Sequence, residues 1–311
     1  MNRRAFFLCN LSCPRRCIYC DQEAITGEIH IPEPREVESA IEQLKEAVEI
    51  CYFGGSFTCL SLAKQQAYLD IISKAPPGSQ VRFSTHPLCF DKKVFSLLGN
   101  YPVSMIELGV SSLEDHVLDT CRRGYSGKEV LEVISLLLKK DFRVGVQVMI
   151  GLPGQTIESS LDDLEKLERV TGGKEITLRI YPCLVLKGTQ LERMLVKGTY
   201  KPLSVQKAAE WAGIMIKKAQ DLGFPVQRVG LQETASLSSS IVAGPHHPAL
   251  GELARSEALV LVLLDLSAKG PWQIPSRQRS LLFGHNRYGL KILSESTGVC
   301  LEDIEKNILF C

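Results

Sequence analysis

The 311-residue chain has no run of the ~18 apolar residues that a membrane-spanning helix needs; its best, Ala258–Leu264, suits a buried helix or strand. It also lacks charge of one sign. Its 36 lysines and arginines face 35 aspartates and glutamates, which excludes a histone-like polycation but leaves room for a local basic patch. No secretory leader is legible: Arg3 and Arg4 precede only Ala5–Cys9 before Asn10 breaks the apolar stretch, so a cytosolic protein is expected. Internal repeats and low-complexity tracts are missing. With 45% apolar and 23% charged residues the chain is neither disordered nor fibrous, and it is long enough for one large α/β domain with an appendage.

Cysteine, by contrast, is plentiful. Eleven scattered residues, an odd number, do not make a small disulfide scaffold. Cys51, Cys59, Cys89, Cys121 and Cys183 stand alone among apolar neighbours and read as small buried hydrophobes. Cys13, Cys17 and Cys20 are different, because they fall together as Cys-x3-Cys-x2-Cys directly after the first strand.

Short apolar runs alternate with amphipathic stretches up to about Gln232. The expected strands are Ala5–Cys9, Ile50–Phe53, Val81–Ser84, Met105–Val110, Val144–Ile150, Ile176–Tyr181 and Val226–Gly230. Helical spacing is expected over Glu36–Val48, Leu62–Ser73, Lys128–Lys139, Ile157–Arg169 and Val205–Leu222. Short strands separated by helices mean βα units and a parallel sheet, open or closed into a barrel. Residues 1–232 are read as this core with its last βα unit. Residues 233–311 are read as a C-terminal α+β extension, with helices from Leu250 and near Leu301–Leu309, that caps a substrate or contacts RNA.

Three thiolates so close in sequence can wrap one metal centre. A structural zinc takes four ligands, and the one histidine within 20 residues that offers a fourth is His30. A 4Fe–4S cluster held by three cysteines keeps one iron open for a ligand that is not protein, which is a catalytic arrangement. The segment resembles the cluster loop of the radical S-adenosylmethionine enzymes, including an aromatic residue, Tyr19, before the last cysteine. The resemblance extends, in order, through Phe53-Gly54-Gly55-Ser56-Phe57-Thr58, Ser84-Thr85-His86-Pro87, Ile106–Ser112, Arg123-Gly124-Tyr125 and Gln147–Gly154. It resembles the branch holding the Elongator catalytic subunit and the oxygen-independent coproporphyrinogen oxidases.

The resemblance implies a partial (β/α)6 TIM-like barrel, with its site at the carboxyl ends of the strands. It implies a 4Fe–4S cluster on Cys13, Cys17 and Cys20, and S-adenosylmethionine on the open iron. Gly54, Gly55 and Ser56 would accept from the methionyl ammonium, and Ser84 and Ser111 would stand near the ribose. Arg123, or its neighbour Arg122, would grip the methionyl carboxylate. Gln147, Met149, Ile150 and Gly151 would flank the adenosine. An electron donor of flavodoxin or ferredoxin type would be required.

Outside these motifs, Glu107 lies in an apolar strand and must either pair with an arginine or contact a ligand. Arg179 is either a barrel-interior residue or a structural ion pair. Gly244-Pro245-His246-His247-Pro248 reads as a surface turn or a substrate cap. From Leu266 to Ser294 there is no acid, yet Lys269, Arg277, Arg279, Arg287 and Lys291 occur there with Trp272, Phe283 and Tyr288 interleaved. Such a segment is either a solvated face or a surface for phosphates and unstacked bases. No Gly-rich acyl-CoA loop follows the core, so full carboxymethylation chemistry is not expected without a partner. The expected function is a radical S-adenosylmethionine enzyme with tRNA favoured as substrate. The alternatives are a porphyrin- or small-metabolite-directed enzyme, and a non-catalytic metal-binding interaction protein.

Overall fold

The computed structural model describes residues 1–311. Seven parallel strands form one sheet in simple chain order: β1 (Asn2–Phe7), β2 (Val48–Phe53), β3 (Gln80–Thr85), β4 (Val103–Ser111), β5 (Val144–Ile150), β6 (Ile176–Pro182) and β7 (Val226–Val229). All seven expected strands are present, as a half-barrel rather than a closed one. β1 is displaced toward the N-terminus because its ladder with β2 runs from Asn2↔Val48 to Phe7↔Phe53, leaving Leu8 and Cys9 to turn into the cysteine loop.

Helices α1 (Pro34–Ile41), α2 (Leu62–Asp70), α3 (Gly127–Lys139), α4 (Ile157–Thr171) and α5 (Val205–Asp221) pack on one face. Four of them start at a side-chain cap, supplied by Ser61, Ser126, Thr156 and Ser204, each satisfying an otherwise orphaned amide. The expected helix over Glu36–Val48 stops at Ile41, because Val48 is claimed by the ladder with β1 and residues 42–47 make the turn.

Side chains alternate along each strand. Ile50 and Tyr52, Val81 and Phe83, Ile106 and Leu108, Val146 and Val148, and Leu178 and Ile180 join the core under the helices. The other set faces the lumen and brings Glu49, Arg82, Glu107, Gln147 and Arg179 together with apolar residues such as Phe53 and Met149. A parallel sheet buried on both faces would be apolar throughout.

After the sheet, α6 (Leu250–Leu266) lies along α5. Gly213 makes the close approach possible, since a Cβ there would stand 2.3 Å from the Glu257 Cβ. Leu250, Leu253, Ala254 and Ala258 belong to the main core, whereas Leu259, Val260 and Leu263 start a second one. That second core also holds Trp272, Leu282, Leu290 and Ile304, from the segment containing α7 (Arg279–Thr297, broken at residues 284–287) and α8 (Leu301–Lys306). The helix expected near Leu301–Leu309 ends at Lys306, and Ile308–Phe310 instead pairs in parallel with Trp272–Ile274. No helix is long and apolar enough to cross a membrane.

One cysteine expectation is corrected. Cys59 and Cys89, read as isolated buried hydrophobes, form a disulfide with 5.0 Å between their Cα atoms. They lie in the loops after β2 and β3, which parallel neighbours bring side by side. Cys51, Cys121 and Cys183 are buried and free.

Candidate functional site

The carboxyl ends of the strands surround a cavity of about 740 Å³. Cys13, Cys17 and Cys20 line it from the loop after β1. This loop is stitched to the loop after β2. The Gly54 carbonyl accepts from the Asn10 amide at 2.9 Å, and the Ser56 amide donates to the Leu11 carbonyl at 3.1 Å. Gly55 is required by this contact, because a Cβ there would stand 2.2 Å from the Leu8 carbonyl oxygen. Ser56 Oγ lies 3.3 Å from Cys13 Sγ. The two glycines therefore bring the second loop against the chain's own cysteine loop.

Arg123 is 8% exposed. Its Nη1 donates to Cys17 Sγ at 2.8 Å, its Nη2 to the Gly109 carbonyl and its Nε to Tyr125 Oη at 2.7 Å. Arg122 is exposed, with φ 57°, and unlike Arg123 does not line the cavity. His86 Nε2 lies 3.2 Å from the Arg123 carbonyl, and burial first, then the nearby guanidinium, depresses the imidazole pKa to about 4. Burial pushes the Cys20 thiol up to about 12 and raises Cys13 as well. Thiols in this state hold their protons until a cation displaces them.

Ser84, Gln147 and Met149 also line the cavity, and Ser84 Oγ reaches the Gly55 carbonyl at 3.4 Å. Ser111, Ile150 and Gly151 do not line it. Ser111 Oγ is 2.7 Å from Tyr19 Oη, behind the cysteine loop. Ile150 sits in the main core, and the Gly151 carbonyl accepts from Tyr200 Oη at 2.7 Å.

Glu107 is 5% exposed and pairs with arginines on two sides: Arg82 on β3, and Arg179 Nη1 at 2.6 Å on β6. The chain of charges continues through Glu49, 3.7 Å from Arg82, to Arg3 at 2.7 Å. Arg179 is thus both an ion-pair residue and part of the cavity wall. Sequence reasoning missed Arg228, Gln232 and Thr234, which complete the wall on the β7 side. Arg228 follows Gln227 in the short strand Val226–Val229, so no apolar run marks it as Glu107 was marked.

The histidine pair makes a surface turn: His246 Nε2 meets Glu233 at 2.7 Å, and His247 Nδ1 accepts from the Ala249 amide. In the acid-free segment Trp272 is no stacking platform. It is 1% exposed and donates from its indole to the Leu263 carbonyl at 2.9 Å. Tyr288 donates to Glu257 at 2.6 Å, Arg279 lies over the Phe283 and Phe310 rings, and Arg287 pairs with Glu305. Lys269, Arg277 and Lys291 are exposed without an ion pair.

The model of the Radical SAM superfamily matches residues 10–167, half of the chain, and that of the Radical_SAM C-terminal domain matches residues 177–259. The chain belongs to the radical SAM superfamily, whose enzymes work with a 4Fe–4S cluster and S-adenosylmethionine. It is 30% identical to the tRNA uridine(34) acetyltransferase of Methanocaldococcus jannaschii, over 56% of this chain and 37% of that protein. Its fold is like that of the archaeal Elp3 of Methanocaldococcus infernus, with TM-score 0.58 and 21% identity over 82% of this chain and 61% of the other. It is also like that of Streptococcus suis SuiB bound to S-adenosylmethionine, with TM-score 0.54 and 9% identity over 76% and 48%. The chain spans less than two thirds of the length of the first curated relatives it matches.

The donor set fits the family's cluster. Three thiols from one loop face one cavity, and no three His, Cys, Asp or Glu side chains meet closely enough to hold a single metal ion. A cluster bound at three corners needs the first arrangement and not the second.

Proposed function

We propose that this chain holds a 4Fe–4S cluster on Cys13, Cys17 and Cys20, cleaves S-adenosylmethionine at it, and modifies a tRNA. The observation that carries the reading is the convergence of these cysteines with Gly54–Ser56, Ser84, Arg123, Gln147 and Met149 on one cavity. When bound, the cluster supplies the electron that splits S-adenosylmethionine into methionine and a 5′-deoxyadenosyl radical. The protein's own residues bind and orient. Arg123, already fixed by Tyr125 and Gly109, presents its guanidinium to the methionyl carboxylate beside Cys17. The Gly54-Gly55-Ser56 backbone receives the ammonium, while Met149 and Gln147 flank the adenosine. His86, held neutral, adds no second positive charge beside Arg123. The electron comes from an external donor of flavodoxin or ferredoxin type.

In this reading residues 1–232 carry the radical chemistry in the cytosol, and residues 233–311 meet the substrate. Support for tRNA comes from the similarity to a tRNA uridine(34) acetyltransferase and from the exposed cations Lys269, Arg277 and Lys291. Anaerobic reconstitution tests the first part. About four irons per chain and release of 5′-deoxyadenosine on reduction are expected. One zinc per chain without cleavage would overturn it. A Cys13→Ala, Cys17→Ala or Cys20→Ala variant should lose both iron and cleavage.

A further inference from the structure

Every residue assigned above to S-adenosylmethionine lies on or after β2, β3, β4 or β5. The β6–β7 side of the same cavity has no assigned occupant, and it carries two arginines among largely apolar residues. Arg179 and Arg228 are partners in the β6–β7 ladder, so both side chains leave the same face of the sheet, and both line the cavity. Like charges placed side by side repel unless something negative answers them.

Arg179 is answered by Glu107. Arg228 is not: its Nε donates to the Gly230 carbonyl at 3.0 Å, it has no carboxylate partner, and its two terminal nitrogens make no hydrogen bond within the chain. The lumen ladder does not supply the missing charge. Glu49 is shared by Arg3 and Arg82, and Glu107 by Arg82 and Arg179, so each acid is already spent on two cations. Beside Arg228, Gln232 and Thr234 add uncharged polar groups to the wall. Thr234 is tied to the short helix Gln22–Thr26, which follows the cysteine loop, by its hydroxyl, which donates to the Ile25 carbonyl at 3.1 Å, so the segment after β7 is anchored to the segment after β1.

We infer that Arg228 is an anion-recognition residue: its free guanidinium edge, beside Arg179, binds a phosphate or carboxylate group of the substrate. The inference rests on the radical S-adenosylmethionine reading only in assigning that anion to the substrate. A guanidinium fork binds either oxyanion through two parallel hydrogen bonds, which a lysine does not reproduce. The anion would anchor one end of the substrate at β7 and leave its other end toward the β2–β5 side, where the adenosyl group lies in the proposed function.

The test uses the full chain, with inorganic phosphate and acetate as probes against chloride at constant ionic strength. Binding is followed by calorimetric titration and thermal shift, and S-adenosylmethionine is titrated into the same reconstituted samples. Wild type should bind at least one probe saturably: phosphate alone assigns a phosphoryl group, and acetate alone a carboxylate. Arg228→Gln should bind about tenfold more weakly or worse, as expected for loss of a charge-assisted contact, and Arg228→Lys should recover only part of the binding. If Arg228→Gln does not fold, the lysine variant carries the comparison, because it keeps the charge and loses the fork. Wild type binding neither probe, or both variants binding as wild type does, would overturn the inference. A protein that binds S-adenosylmethionine but no anion loses only this site. One that binds the anion but not S-adenosylmethionine loses the proposed function instead.

Discussion

Glu107→Gln is the sharpest perturbation of the lumen. Both carboxylate oxygens are engaged, one by Arg82, whose side chain is 2% exposed, and the other by Arg179 at 2.6 Å. The amide keeps the shape and one acceptor, but it removes the charge and turns an N–H toward a guanidinium. Removing one partner of a buried ion pair costs about 3–5 kcal/mol. Two features put this case at the lower end. Arg82 retains Glu49 at 3.7 Å and Gln227 at 3.2 Å, and the Arg179 side chain is 21% exposed and can be solvated. A loss of about 3 kcal/mol is therefore expected, a large part of the roughly 5–15 kcal/mol that keeps a domain folded. Urea denaturation should show a lower midpoint at unchanged slope. The double change Arg82→Met, Glu107→Leu should cost less than Glu107→Gln alone, because the most deeply buried cation goes with its partner and only the partly exposed Arg179 is left unpaired. A Glu107→Gln protein within about 0.5 kcal/mol of wild type would refute the reasoning, and would mean that water in the lumen solvates the ladder.

Arg123→Ala should weaken S-adenosylmethionine binding by about 1.5–3 kcal/mol with iron content kept, and the reverse pattern, lost iron with binding intact, would make its contact with Cys17 the one that matters. Reducing Cys59–Cys89, which closes a separation of 30 residues, should cost about 3–4 kcal/mol in chain entropy; an unchanged denaturation midpoint in dithiothreitol would show that the loops need no tie. Acid stability holds two opposed groups. Asp163 is raised to about 6, chiefly by burial, so its ionisation lowers stability as pH climbs from about 4 to 6, whereas His86, lowered to about 4, loses stability as pH falls from about 6.5 to 4. Asp163→Asn should expose the histidine slope and His86→Gln the aspartate slope in pH-dependent melting, and two parallel profiles would refute the assignment. For tRNA, changing Lys269, Arg277 and Lys291 to Gln together should reduce the log–log salt slope of binding by roughly 2–3; no tRNA binding by wild type at low salt would move the substrate to a small organic acid.

Much of the scaffold is legible in the sequence because its signals are local. Strands β2 to β6 are short, largely apolar runs, and each of α2, α3, α4 and α5 starts at a capping Ser or Thr. The cysteine loop needs no tertiary information either, since its three thiols fall within eight residues, Cys13–Cys20. What stayed hidden depends on long-range adjacency. The pairing of Cys59 with Cys89 follows only once β2 and β3 are neighbours. Trp272 reads as an exposed aromatic among cations until the strand pairing of Trp272–Ile274 with Ile308–Phe310 puts it in the second core. Composition alone cannot separate an arginine paired with Glu305 from one that is free, and so the basic segment looked more uniform than it is.

The inner face of the sheet shows how far pattern can be pushed toward function. Glu107, Gln147 and Arg179 each interrupt an apolar strand, and taken singly each reads as an anomaly needing its own partner. Placed in register they are one surface. Glu107 pairs across to Arg82 and Arg179, and Gln147 lies opposite Arg179 in the β5–β6 ladder. A lumen meant only for packing would be filled with branched apolar side chains. Carrying buried charges there is costly unless each is answered, and along β1 to β6 each is answered by a neighbour. The exception is on the last strand, where Arg228 has a carbonyl but no acid. The same pattern that explains the polar lumen as structure therefore isolates, among the strand residues, the cation that structure alone does not explain.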